Sequence, residues 1–251
     1  YAYYPHNVHF IVTSAMMAGD VATTKAEAMR LGRLLSPDMS AQFGTAQAVE
    51  AAPFQVMAMV GEPDAILAMP APDARLPYAL AMRHFARATA FAQMRDKAGF
   101  DGEMKALAAQ ADHPGTKDLV AQSVPLPDLI RIAEGVARGR WAMLNGHPAE
   151  AVAQFRAAAA IEATIVYMEP SFWHYPVSQS LGAALLMAGD AAGAAQAFRA
   201  TLVQTPRNGW ALYGLALSEK AAGHKAEAAA AEAAFHRAWA GDPKWLKLER
   251  L

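Results

Sequence analysis

Between Ser178 and Pro206, apolar and small residues recur at helical spacing in two runs separated by Gly189-Asp190. Leu181, Gly182 and Leu185 share one face of a first helix, and Ala194, Phe198 and Thr201 share one face of a second. Gly189-Asp190 supplies the turn, and Pro206 ends the unit. Small residues at Gly182 and Ala194 let two helix axes approach closely, while Leu185 and Phe198 fill the space beside them. A bulky residue at Ala194 is therefore expected to overpack by ~1–3 kcal/mol. The pattern then returns: Leu215, Ala216, Gly223, Ala228 and Phe235 stand 34 positions beyond Leu181, Gly182, Gly189, Ala194 and Thr201.

Carried along the chain, the same periodicity predicts about six helical hairpins, over residues 6–35, 46–69, 77–111, 127–163, 176–205 and 209–240. Gly19-Asp20 and Gly146 read as turns equivalent to Gly189-Asp190. Pro53 is expected at or near a helix start, residues 70–77 as a proline-rich loop, and the polar stretch 112–123 as turn and connection. From Gly146 to Gly189 is 43 positions, nine more than the repeat, and the excess falls in 164–175, TIVYMEPSFWHY. Insertions in repeat arrays form loops on one face, often the binding face. The short amphipathic tail 244–251 is expected to cap the last exposed apolar face.

A 34-residue helix-turn-helix period is the tetratricopeptide spacing. With LG at Leu181-Gly182, GD at the turn, A-x3-F at Ala194–Phe198 and the closing Pro206, the chain resembles a tetratricopeptide repeat protein. The resemblance implies an all-α, right-handed superhelical solenoid, forming a single domain over 1–251. It narrows to a group of longer bacterial tetratricopeptide proteins through YYPHNVHF at 3–10, MEPSFWHYPVSQSLGAALLMAG at 168–189 and NGWALYGLA at 208–216. Members of that group carry further repeats with paired histidines ahead of the tyrosine-rich segment, and many look exported. Where they show an aromatic and a basic residue, this chain has His174 and Ser178. The first residue is Tyr1 rather than Met, which reads as a fragment or a processed product.

The 251 residues are 54% hydrophobic and 18% charged, enough for a continuous core. A formal net charge of −1 leaves no basic field for nucleic acid phosphates, so no nucleic acid partner is expected. The charge-free stretches 1–19 and 170–189 both carry Pro and His, so neither reads as a membrane span and no membrane insertion is expected. With no cysteine there is no disulfide, thiolate nucleophile or Cys-based zinc site, and both cytoplasm and periplasm stay open. No G-x-S-x-G, phosphate-binding loop or HExxH occurs, so no catalytic residue is assigned.

Two constellations stand out. His6 and His9, three apart, share a helix face if helix begins near His6, a spacing that lets two imidazoles meet one transition metal ion. A metal site needs a further ligand, for which His174 or Glu169 on the inserted loop is the candidate; the competing reading has His6 capping the helix and His9 packed or solvated. Trp173 and Tyr175 offer rigid contact area with a polar tip, and Glu169 a partner for a basic group or metal. The competing reading there is a loop that plugs the superhelix with aromatic core. First helices line the concave face in the family, which makes Tyr4, Asn7, Trp210 and Tyr213 contact candidates. The expected function is a scaffold binding a protein or peptide, part of a larger protein or assembly; the alternative is a metal-binding protein on the same frame.

Overall fold

The structure is a computed structural model describing residues 3–251; the residues ahead of Tyr3 lie outside it. The described residues form fourteen α-helices, three single-turn 3-10 helices and no strand. Four hairpins agree closely with the periodicity: α6 (Pro77–Met94) with α7 (Lys97–Ala109), α9 (Leu126–Leu144) with α10 (Pro148–Glu162), α11 (Val177–Met187) with α12 (Ala191–Gln204), and α13 (Gly209–Ala221) with α14 (Lys225–Ala238). At the N-terminal side, α1 (Tyr3–Met17) pairs with α2 (Val21–Leu31), so the first helix begins at Tyr3 rather than near His6. The turn glycines Gly19, Gly146, Gly189 and Gly223 all have positive φ, between +76° and +86°, which explains why no side-chain-bearing residue stands there. After two of them Asp20 and Asp190 cap the next helix, accepting from the backbone N–H of Thr23 and Gly193 at 3.0 and 2.8 Å.

The second hairpin, expected over 46–69, joins a long helix, α4 (Gly44–Val60), to a short one, α5 (Pro63–Leu67), with α3 (Pro37–Gln42) ahead of them. Pro53 lies inside α4, not at its start. Every residue from Ala51 to Val60 is buried, so packing on all sides offsets the hydrogen bond that proline removes. Its ring sits where Gly32 leaves room: a Cβ at Gly32 would stand 3.0 Å from it. The stretch 112–123 also holds a helix, α8 (Pro114–Ala121), started by Pro114 and by His113, whose Nδ1 accepts from the Gly115 N–H at 3.1 Å.

Packing between hairpins follows the large-on-small rule read from the sequence. The Phe198 ring lies between Gly182 on α11 and Gly214 on α13, and the Phe155 ring lies on Gly139. A Cβ at Gly214 would stand 2.2 Å from the Phe198 ring. Gly214→Ala is therefore expected to destabilise the protein by about 1–3 kcal/mol, with part of the loss recovered by adding Phe198→Leu. Equilibrium urea denaturation of the two variants reads this directly.

The hairpins curl until the last touches the first. Trp210 Nε1 donates to the Met16 carbonyl at 2.7 Å, and the Ala240 N–H donates to the Ala18 carbonyl at 2.8 Å. Trp239 stands edge-on to Trp210, ring centroids 4.9 Å apart, and lies on Gly19 and Gly209, where any Cβ would collide with its ring. Two segments of the chain reach into this closed arrangement, the first with a run of consecutive buried residues and the second with Leu251 alone. One is the loop 163–176 between α10 and α11, in which Phe172, Trp173, His174 and Tyr175 are all buried. The other is the C-terminal segment. It does not cap the last apolar face, as the sequence suggested, but crosses to α4, α9 and α11.

Candidate functional site

The loop 163–176 is held from every side. The Phe172 carbonyl accepts from Gln55 Nε2 of α4 at 2.9 Å and from the Tyr78 hydroxyl of α6 at 2.5 Å. Trp173 packs on Phe85 with centroids 5.2 Å apart. The Tyr175 hydroxyl accepts from Arg140 Nη2 of α9 at 3.2 Å and pairs with Ser180 Oγ of α11 at 2.9 Å. Arg140 is itself buried, its Nη1 donating to the Ala58 carbonyl at 2.6 Å. Trp173 and Tyr175 are thus interior residues, 3% and 2% exposed, rather than open contact surface. The loop carries too much apolar area to remain in water, and the closed ring of helices gives it somewhere to go.

His174 is buried in the same core with both ring nitrogens unpartnered. Burial foremost, then the Arg140 charge and His9, hold its pKa well below the usual histidine value, so it is neutral at pH 7. His9, on the inner face of α1, is lowered to about 4 by burial and by His6. His6 is exposed, its ring against Phe10 with centroids 4.9 Å apart, and it caps nothing because α1 has already begun. Glu169 is exposed on the loop and accepts from the Tyr167 hydroxyl. The fold therefore brings His9 and His174 near one another and sets His6 and Glu169 along one cleft. Among the described residues, however, no three His, Cys, Asp or Glu side chains come within reach of one ion. Two buried neutral imidazoles without a third ligand do not fit a transition metal.

The remaining contact candidates separate by burial. Tyr4 and Asn7 are exposed on α1, with Arg30 reaching the Tyr4 hydroxyl and ring. Trp210 is 1% exposed and closes the ring, and Tyr213 is partly buried against Phe235 at 5.6 Å. Trp210 is not free for a partner, because contact between the last and first hairpins covers it, whereas α14 covers only part of Tyr213.

Three openings meet at Met168 of the loop. A cleft of about 520 Å³ lies between α1, α3, α4 and the loop, lined by His6, His9, Met39, Phe43, Met168 and Glu169. A second, of about 470 Å³, lies between α1, the loop and the end of α12. A third, of about 200 Å³, shares Glu162 and Tyr167 with the second. Glu162, at the end of α10, accepts from the Val177 N–H at 2.9 Å, yet burial pushes its pKa up to about 7.

The C-terminal segment makes the second constellation, one that sequence reasoning missed. The Leu251 carbonyl accepts from Ser180 Oγ at 2.6 Å, and the Leu251 side chain is buried. Arg250 pairs with Glu62 at 3.3 Å. The Trp245 ring has Lys25, Lys244 and Arg250 around it, 5.0 to 5.7 Å from its centroid. Beside the segment a cavity of about 260 Å³ remains, lined by Met59, Thr89, Gln93, Arg140, Leu144 and Lys247 among others. Ser180 joins the segment to the loop through Tyr175. Arg140 could have been found: it lies four positions after Val136 and seven after Ala133, on the buried stripe of α9.

No described helix is long and apolar enough to cross a membrane. Comparison with protein-family models, with curated proteins and with solved structures finds no match. The chain is read from its own chemistry.

Proposed function

We propose that this chain is a tetratricopeptide-type solenoid that binds an extended peptide segment of a protein partner, within a larger protein or assembly. The observation that carries the reading is the C-terminal segment itself. A short amphipathic stretch crosses the inner helices α4, α9 and α11, buries Leu251, and is held by a serine hydrogen bond and an ion pair at Glu62. A surface that holds its own peptide in this way has the pockets and polar anchors that a partner's peptide needs. The exposed Tyr3, Tyr4, Phe10 and Ile11 along α1 support a place in a larger assembly, since such residues seek a neighbour. The metal reading has no comparable support.

The test is a labelled peptide with the sequence of residues 243–251, titrated into the parent chain and into a Trp245→Ala/Leu251→Asp variant that loosens the resident segment. Saturable binding to the variant, weak binding to the parent and none of a scrambled peptide are expected. A variant of unchanged helix content that ignores the peptide would refute the reading.

A further inference from the structure

The cleft of about 470 Å³ between α1, the loop 163–176 and the end of α12 combines aromatic side chains with acidic ones. Phe10 and Tyr167 stand at its sides, both exposed, and the nearly buried Trp173 and Tyr175 close its floor. Its charged residues are Glu162 and Glu169, and among the described residues no Lys or Arg lines it or either adjoining opening. Arg140, the nearest cation to the floor, is engaged by the Ala58 carbonyl and the Tyr175 hydroxyl and does not line the cleft. His174 lines the same cleft, buried, with neither ring nitrogen partnered.

We infer that this cleft binds a protonated organic amine whose apolar body rests on the aromatic walls. Each element of the lining selects for it. The Glu169 carboxylate, with no Lys or Arg among the lining residues, favours a positive head group, and Glu162 adds to it in the fraction that is ionised. Aromatic faces attract a cation through their quadrupole and take up its hydrocarbon part at the same time. The neutral imidazole of His174, buried beneath the floor, keeps an acceptor nitrogen that no protein donor meets. An anionic ligand meets none of these conditions, and a neutral one leaves the Glu169 charge without a counter-charge. The inference is independent of the peptide reading, because the cleft lies on the loop side of Tyr175 and shares no lining residue with the cavity beside the C-terminal segment.

Isothermal titration calorimetry of the full chain with phenethylamine, and with 2-phenylethanol as its uncharged counterpart of similar size, tests the assignment. Saturable binding of the amine is expected, with the alcohol weaker by about tenfold or more. Glu169→Gln should weaken the amine by about tenfold and leave the alcohol unchanged, whereas Glu227→Gln, exposed at the start of α14 and outside the cleft, should change neither. Since a lysine side chain offers the same head group, Nα-acetyl-lysine amide is the third probe. Tighter binding than phenethylamine assigns the cleft to a peptide side chain, and weaker binding to a free arylalkylamine. Equal affinity for amine and alcohol, or an amine affinity that Glu169→Gln does not alter in a protein of unchanged helix content, would overturn the inference.

Discussion

Trp210→Ala is expected to cost about 3–5 kcal/mol and to enlarge the molecule, because it removes a fully buried indole at the contact between the last and first hairpins. The side chain contributes in two separable ways. Its ring fills the space against Trp239, and its Nε1 satisfies the Met16 carbonyl at the end of α1. Trp210→Phe keeps most of the first and discards the second, so its loss should be nearer 1 kcal/mol, the net value of one hydrogen bond. Urea denaturation gives both numbers, and small-angle scattering gives the radius of gyration. If Trp210→Ala loses less than about 1 kcal/mol and keeps the parent's dimensions, the end-to-end contact does not hold in solution.

Between about pH 6.5 and 4.5 the protein is expected to lose stability on acidification, and Glu162→Gln is expected to steepen the loss. His9 titrates at 6.5 when unfolded and at about 4 when folded, so in this window the unfolded chain holds the extra proton and acid favours unfolding. His174, lowered for the same reason, pushes in the same direction. Glu162 opposes them: its pKa is 4.5 unfolded and about 7 folded, so here the native state holds the extra proton. Two protons against one leave a net acid sensitivity. A shift of this size amounts to at most about 3 kcal/mol per group, and less for Glu162, which is only partly buried. Glu162→Gln should therefore gain about 1–3 kcal/mol at pH 8, gain nothing near pH 4, and fall more steeply in between. His9→Gln should flatten the same profile. Denaturation midpoints collected across pH for the three proteins decide it, and a parent profile that is level from pH 7 to 4.5 would sink the assignment of two neutral buried histidines.

What the sequence made legible is what depends on neighbours along the chain. Glycine at each tight turn, aspartate after two of them, and phenylalanine facing glycine across a helix pair all follow from local sterics, and the hairpins after residue 77 stand within a few residues of their predicted bounds. Tertiary burial overrode local preference at Pro53, where a residue that breaks isolated helices lies inside a buried one. The length of the insertion at 164–175 was visible, but not its direction, since aromatic residues serve a core and a binding surface equally well. The ring closure left no signal at all. Trp210 bonds a backbone carbonyl, which every residue possesses, at a site 194 positions away. Of the candidate site residues, His9 and His174 were proposed as metal ligands; what sets them apart in the structure is burial, which lowers the pKa of both, a property of the folded surroundings.

The contact between the last and first hairpins also bears on how the molecule assembles. In an array held only by adjacent units, folding can nucleate anywhere and spread, and the two ends fray first. Here the first and last of these hairpins brace each other, and the Met16–Trp210 bond cannot form until synthesis has passed Trp210. Joining points so distant costs loop entropy before it returns any contact energy, so this seam belongs to the late, slow part of folding. Once it forms, amide protons of α1 and α13 should exchange together with the core rather than ahead of it, and a chain of local hairpins acquires the all-or-none behaviour of a globule.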